Sequence, residues 1–271
     1  MPVIHPSAIV EDGAVLADDV EIGAYAYVGA HVSLADGVRL HHHASIVGHT
    51  SIGARTTVFP FASLGTPPQS VHYKGEPGRL TIGADCQIRE HVTVNIGTAG
   101  GGMETTIGER CFLMVGSHVA HDCHVGNNVI FANNATLGGH VVVGDFVFFG
   151  GLAAVHQFVR IGEQAMIGGV CPIRHDVIPF GAVRDGADGL GGLNIIGLKR
   201  RGFDRPTIHA LRAAYKAIFY GSGSLDDRVE RAAERFADNA PVMRVVEFIR
   251  TAGKRQITVP SHVETDDGDD D

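Results

Sequence analysis

The stretch Ile107–Ile173 reads IGERCFLMVGSHVAHDCHVGNNVIFANNATLGGHVVVGDFVFFGGLAAVHQFVRIGEQAMIGGVCPI, and every sixth residue of it is large and apolar, from Ile107 and Leu113 through Val119, Phe131 and Leu137 to Ile173. The same beat runs upstream from Ile4 through Ile22 and Ile46 to Leu64, and again over Ile82, Ile88 and Val94. A period of six fits neither an amphipathic helix nor an alternating strand, and a fixed short period marks a repeat architecture.

The fifth position of each hexad is small or β-branched, as in Ala26, Val32, Ala135, Val141 and Ala153. Each hexad thus supplies one large and one small inward residue before it turns. Glycine recurs at the second position (Gly23, Gly53, Gly108, Gly144), which suggests a backbone bend that a side chain would obstruct. Short strands with regular corners stack into a parallel β-helix, three hexads to a coil of 18 residues, giving a triangular prism. The pattern resembles the hexapeptide-repeat proteins. That resemblance covers about residues 3–180 and implies a left-handed coil, against the usual right-handed crossover.

Two segments break the beat. TPPQSVHYKGEPGRLT, between Leu64 and Ile82, and the glycine-rich GTAGGGMETT, Gly97–Thr106, read as loops projecting from a rigid scaffold, where function tends to reside. After residue 180 the spacing becomes helical. Ile208, Leu211, Tyr215 and Ile218 form one stripe ended by Gly221, Ser224 with Asp227 caps a helix over Leu225–Asp238, and Pro241 opens a third. The expected organisation is a mainly β chain: a coil over residues 1–190 with loops at about 65–81 and 97–106, a helical domain over 191–257, and a disordered acidic tail over 258–271. The helices are expected to pack on the coil's open end or on each other. That tail accounts for most of the net charge of −8.

There is no apolar run long enough to span a bilayer and no signal peptide. The four cysteines, Cys86, Cys111, Cys123 and Cys171, all take the small inward position and read as buried free thiols in a reducing compartment, with no metal spacing. Of the 16 histidines, the run His41–His43 reads as exposed polar surface. His121, His140 and His156 differ. Their hexads begin at Val119, Leu137 and Val155, one coil apart, so the three are expected on one face near one corner. Coils stack about 4.8 Å apart. Gly139 occupies the hexad position that His121 holds one coil earlier, and His118 lies just round the corner. An imidazole beside a backbone N–H offers a general base and an oxyanion donor together.

The motifs AHDC, LGGH, AVHQF and NIIGLKRRGF, in that order, with the opening HPSAIVEDGA and the loop motif YKGEP, resemble the UDP-N-acetylglucosamine 3-O-acyltransferases that begin lipid A synthesis with acyl carrier protein as donor. The resemblance spans essentially the whole chain except the acidic tail. It implies that His121 is the general base toward the sugar 3-hydroxyl, that Asp122 orients it, and that the Gly139 N–H holds the oxyanion. It further implies that His118, His140, His156 and Gln157 bind the nucleotide sugar, and that Asn194 contacts the acyl group or the sugar. Arg200 and Arg201 would meet the diphosphate and the phosphopantetheine region, which suits bidentate arginine. Gly169 would leave an acyl groove open for a long 3-hydroxyacyl chain. The family often has an aspartate and a lysine facing the sugar where this chain has Ser70 and His72, while Gln69 and Tyr73 keep the pattern. That departure opens an alternative, acylation of the 3-amino analogue of the sugar. The resemblance also implies a cytoplasmic homotrimer with no metal, no cofactor beyond the acyl-phosphopantetheine on the carrier protein, and no nucleic-acid partner.

Rival readings are weaker. A zinc-dependent carbon dioxide hydratase of related fold would use His118, His121 and His140 as ligands but leaves KRRGF and the helices without a role. The N-acyltransferase two steps later carries an N-terminal uridine-binding domain, for which hexads starting at residue 4 leave no room. Coenzyme A-dependent acetyltransferases usually lack this helical tail and motif series, and a non-catalytic scaffold need not keep His121, Asp122 and Gly139 together.

Overall fold

The computed structural model describes residues 1–187 and 189–260; the acidic segment 261–271 lies outside them. Strands mostly two residues long stack into three sheets of 11, 9 and 8 strands, the faces of a left-handed triangular prism, all parallel except Leu190–Leu193, which pairs antiparallel with Gly181–Val183 at the edge of the first. Within an uninterrupted stretch each residue pairs with the one 18 positions on, so Val119 lies against Leu137 and Leu137 against Val155. The first and fifth hexad positions fill the interior. Phe131, Leu137, Ala135 and Val141 are fully buried, as are all four cysteines, which are free. Burial pushes the Cys123 thiol up to about 12.

The corners are made differently from the sequence expectation. The left-handed residue is the fourth of the hexad and is usually not glycine: Tyr25 has φ 57°, Phe146 60° and even β-branched Val170 58°. This conformation costs about 1–2 kcal/mol per residue. It is offset by a hydrogen bond to the preceding coil, such as Phe146 N–H to the Asn127 carbonyl at 2.8 Å. The recurrent second-position glycines serve close approach instead. A Cβ on Gly53 would lie 2.6 Å from the Ala84 nitrogen in the next coil.

Both interruptions are shorter than the lost hexad beat suggests. Arg79–Ile82 is already a strand, paired with His49–Ile52 and with Glu104–Ile107, because four-residue neighbours on both sides template it. The first loop is therefore residues 67–78 and the second 96–103, the latter holding a single 3-10 turn, Ala99–Gly101. The run His41–His43 is exposed but not merely polar: His43 stacks between Tyr25 and Phe61, and Phe61 on His91, at centroid distances of 5.1, 5.1 and 5.2 Å.

Beyond the coil come α1 (Ile195–Arg200), α2 (Arg205–Tyr220), α3 (Leu225–Arg235) and α4 (Ala240–Arg250). The short α1, six residues with Leu198 buried, is too brief to show a helical period and escaped the sequence reading. The Ser224–Asp227 capping box is formed. The helices pack on one another and on the coil, their buried stripes continuing its core. Asp176, 1% exposed, bolts the two together: it accepts from Arg160 Nε at 2.6 Å and Arg255 Nε at 3.2 Å, while Arg160 also donates to the Phe248 carbonyl. Thr258 and Pro260, assigned to the tail from sequence, return to the coil: Thr258 N–H donates to the Asp176 carbonyl at 2.8 Å, and Pro260 is a bridge partner of Leu190.

Candidate active site

The register of the coil builds the site. Because Val119, Leu137 and Val155 are stacked, the next positions align as His121, Gly139 and Gln157, and beside them as Asp122, His140 and Phe158. Corner hydrogen bonds keep the rows in step: His140 N–H donates to the His121 carbonyl and Phe158 N–H to that of Gly139, each at 3.0 Å. The His121 and His140 rings meet edge to face at 5.1 Å, and His140 stacks on Phe158 at 4.4 Å. His156 falls outside this column. One residue short of it, His156 lies over Gly138, points into solvent, and places Nδ1 3.1 Å from the Gln157 carbonyl. Phe158 was missed from sequence although adding one coil to His140 finds it.

His121 Nδ1 lies 2.7 Å from Asp122 Oδ2. With a carboxylate as acceptor there, Nδ1 carries the proton and Nε2 keeps a free lone pair. The Asp122 side chain is fully buried, and its charge is met by further donors, Thr98 N–H on Oδ1 at 2.7 Å and Thr98 hydroxyl on Oδ2 at 2.6 Å. His140 Nε2 stands 3.8 Å from the same oxygen. Burial holds the imidazoles of His118 and His140 below the usual histidine range. The His118 ring is engaged by the Thr93 hydroxyl at 2.7 Å. His121, Asp122 and His140 have ligand atoms within 4.8 Å of one another and are, among the described residues, the one group of this kind that could take a metal ion; His118 is not part of it.

Gly139 lies directly under the base. A Cβ there would sit 2.7 Å from His121 Cε1 and 2.8 Å from Nε2, so only glycine lets the ring lie against the backbone. At another corner of the prism the N–H at this hexad position is taken by the next coil's side chain: Glu109 N–H donates to Asn127 Oδ1 and Asn127 N–H to Asp145 Oδ1. The Gly139 N–H, like those of His121 and Gln157 stacked on either side of it, has no such acceptor among the described residues. It is a free donor beside a free base.

These groups open into a cavity of about 600 Å³ lined by Ser70, His72, Tyr73, Glu76, Gln157 and Phe158 with the two histidines. Gln69 is exposed and not among the lining residues. Asn194, Arg200 and Arg201 lie elsewhere, around a second, apolar cavity of about 450 Å³ with Phe146, Phe148 and Met166, at another corner of the prism. Asn194 is the N-cap of α1, its Oδ1 accepting from Gly197 N–H and its Nδ2 donating to the Gln164 carbonyl. Arg201 donates to the Phe146 carbonyl and lies over that ring. Gly169 lines neither cavity; its N–H donates to Asp185.

A family model described as UDP N-acetylglucosamine O-acyltransferase, domain 2, matches residues 176–258, and one for bacterial transferase hexapeptide repeats matches 104–139. Over 258 residues the chain is 59% identical to the acyl-(acyl-carrier-protein)–UDP-N-acetylglucosamine O-acyltransferase of Azorhizobium caulinodans, covering 95% of each chain. The chain belongs to that acyltransferase family. The like-named protein of Caulobacter vibrioides is 53% identical over 95% of this chain and 98% of its own. A crystal structure of a UDP-N-acetylglucosamine acyltransferase superposes with a TM-score of 0.91 at 39% identity, covering 96% of this chain and 99% of that one. In this acyltransferase no described helix is long and apolar enough to cross a membrane.

Proposed function

We propose that the protein transfers a 3-hydroxyacyl group from acyl carrier protein to the 3-hydroxyl of UDP-N-acetylglucosamine, the first step of lipid A synthesis. The observation that carries this reading is the His121–Asp122 pair lying on Gly139, whose N–H is unclaimed among the described residues. His121 Nε2 removes the hydroxyl proton as the sugar oxygen attacks the thioester carbonyl. The Gly139 N–H receives the developing oxyanion, where a fixed donor stabilises charge without reorganising. Collapse breaks the C–S bond, and the departing phosphopantetheine sulfur takes the proton back from His121. The product is an ester, and no acyl-enzyme forms. Oxygen rather than nitrogen is the acceptor, since the relatives are named O-acyltransferases.

The two cavities share no residue and lie on different corners. A nucleotide sugar held both by the His121 group and by Asn194, Arg200 and Arg201 therefore needs two copies of the chain, which supports a cyclic trimer with sites between subunits. Lys199, Arg200 and Arg205 are exposed near the second cavity, and they suit an acidic carrier protein. We place the reaction in the cytoplasm with that carrier. The test is transfer from 3-hydroxyacyl carrier protein to UDP-N-acetylglucosamine by purified protein and by His121→Ala. Loss of transfer by at least about a thousandfold in the variant is expected; a variant within tenfold of wild type removes His121 as base.

A further inference from the structure

The second loop is more than an insertion. Thr98 stands at the N-cap of the 3-10 turn Ala99–Gly101, where a threonine hydroxyl ordinarily accepts from the turn's own N–H groups. It makes no such cap bond. The hydroxyl turns inward and donates to Asp122 Oδ2 at 2.6 Å, the same oxygen that faces His121 Nδ1, while Thr98 N–H donates to Oδ1 at 2.7 Å. The turn then closes over the carboxylate. Gly101 and Met103 N–H both return to the Thr98 carbonyl, and a Cβ on Gly101 would lie 2.0 Å from the Asp122 carboxyl carbon. Both carboxylate oxygens are thereby fixed by donors besides the imidazole, and the Asp122 side chain is closed off from solvent.

The same wall continues into the first loop. Glu76 accepts from Ala99 N–H at 3.3 Å and from Lys74 N–H at 2.9 Å, and the Tyr73 hydroxyl donates to the Glu76 carbonyl. Ser70 and His72 therefore sit on a loop tied to the segment that holds Asp122.

We propose that Thr98 is a positioning residue of the acyl transfer, acting through Asp122 to hold the His121 ring over Gly139. This rests on the acyl-transfer reading given above. A carboxylate held by His121 alone can rotate about its last torsion and lose the ring's alignment; a second and third donor remove that freedom. A group working this way affects the chemical step and not substrate affinity.

The test is steady-state kinetics on the full-length protein with 3-hydroxyacyl carrier protein and UDP-N-acetylglucosamine. It compares wild type, Thr98→Val, Thr98→Ser, Asp122→Asn and the Thr98→Val/Asp122→Asn double variant. Thr98→Val should lower kcat about 10- to 100-fold, the range set by one hydrogen bond to a charged group, with KM for both substrates within about threefold. Thr98→Ser should recover to within about threefold of wild type. In the Asp122→Asn background the valine should cost less than about threefold, since the partner it acts through is already altered. Should the valine not fold, Thr98→Ala is compared with Thr98→Ser in its place. The proposal is overturned if folded Thr98→Val keeps kcat within threefold, if it changes KM alone, or if its cost is unchanged beside Asp122→Asn. Full activity of Asp122→Asn also overturns it, since the group Thr98 acts through would then have no part in transfer, whereas absence of transfer by wild type overturns the acyl-transfer assignment beneath it.

Discussion

Gly139→Ala is the sharpest perturbation of this site, because it adds one carbon and removes no hydrogen-bonding group. The new Cβ would lie 2.7, 2.8 and 3.2 Å from His121 Cε1, Nε2 and Nδ1. Ordinary carbon contacts begin at about 3.5 Å, so the imidazole must withdraw by about 0.7 Å or tilt. It cannot withdraw freely, since Nδ1 is held at 2.7 Å by an Asp122 that is itself pinned by Thr98. A misplacement near 1 Å in a reacting group costs about 100-fold, equivalent to about 2.7 kcal/mol. The Gly139 backbone is not left-handed, so alanine suits its conformation, and the lost entropy of the unfolded chain adds about 0.4–1 kcal/mol of stability against the local clash. The expected result is a folded protein, its thermal midpoint within a few degrees of wild type, with kcat down about 100-fold in the carrier-protein assay. Activity within threefold of wild type would show that the base does not work from this position over Gly139, and loss of folding would show that the glycine serves packing first.

Three further outcomes are expected. Gly169 has only the Gly151 carbonyl oxygen close to a built Cβ, at 3.3 Å, so Gly169→Met should fold. It lines neither cavity, and the acyl-length role implied by the family resemblance requires the variant to shift preference toward shorter chains, read by competition between carrier proteins of different chain length. An unchanged long-chain preference would remove Gly169 from the acyl groove. Asp176→Ala strands the nearly buried Arg160 and should cost about 3–5 kcal/mol, lowering the thermal midpoint by about 10 °C; a drop under 3 °C would mean that the helices are held by apolar packing alone. His118, held below the usual histidine range by burial, binds its proton less readily folded than unfolded. Its contribution is therefore intact above the unfolded value near about 6.5 and is lost as pH falls below it, so His118→Gln should flatten the decline in thermal midpoint between about pH 7 and 5.

The prism, its interior columns and the stacking of His121 on Gly139 are legible in the sequence, because repeat contacts occur at one fixed separation of 18 residues and counting along the chain is enough to find them. The cysteines are legible for the same reason. Counting is also unforgiving: His156 lies one residue from the column that holds Gln157, and in a β-strand a single step changes the face a side chain takes. What has no period had to await the folded chain. The loop boundaries are set by the neighbours that template Arg79–Ile82. The cap of α1 by Asn194, the Arg160 bond to Phe248 across 88 residues, and the closure of Thr98 over Asp122 across 24 depend on where non-repeating segments come to rest. So does the separation of the arginine cavity from the histidine cavity, since each belongs to a different corner of the prism. A hexad pattern specifies nearest-neighbour stacking along one axis. It carries no information about the loops and helices that leave that axis, and their positions follow from hydrogen bonding and burial in three dimensions.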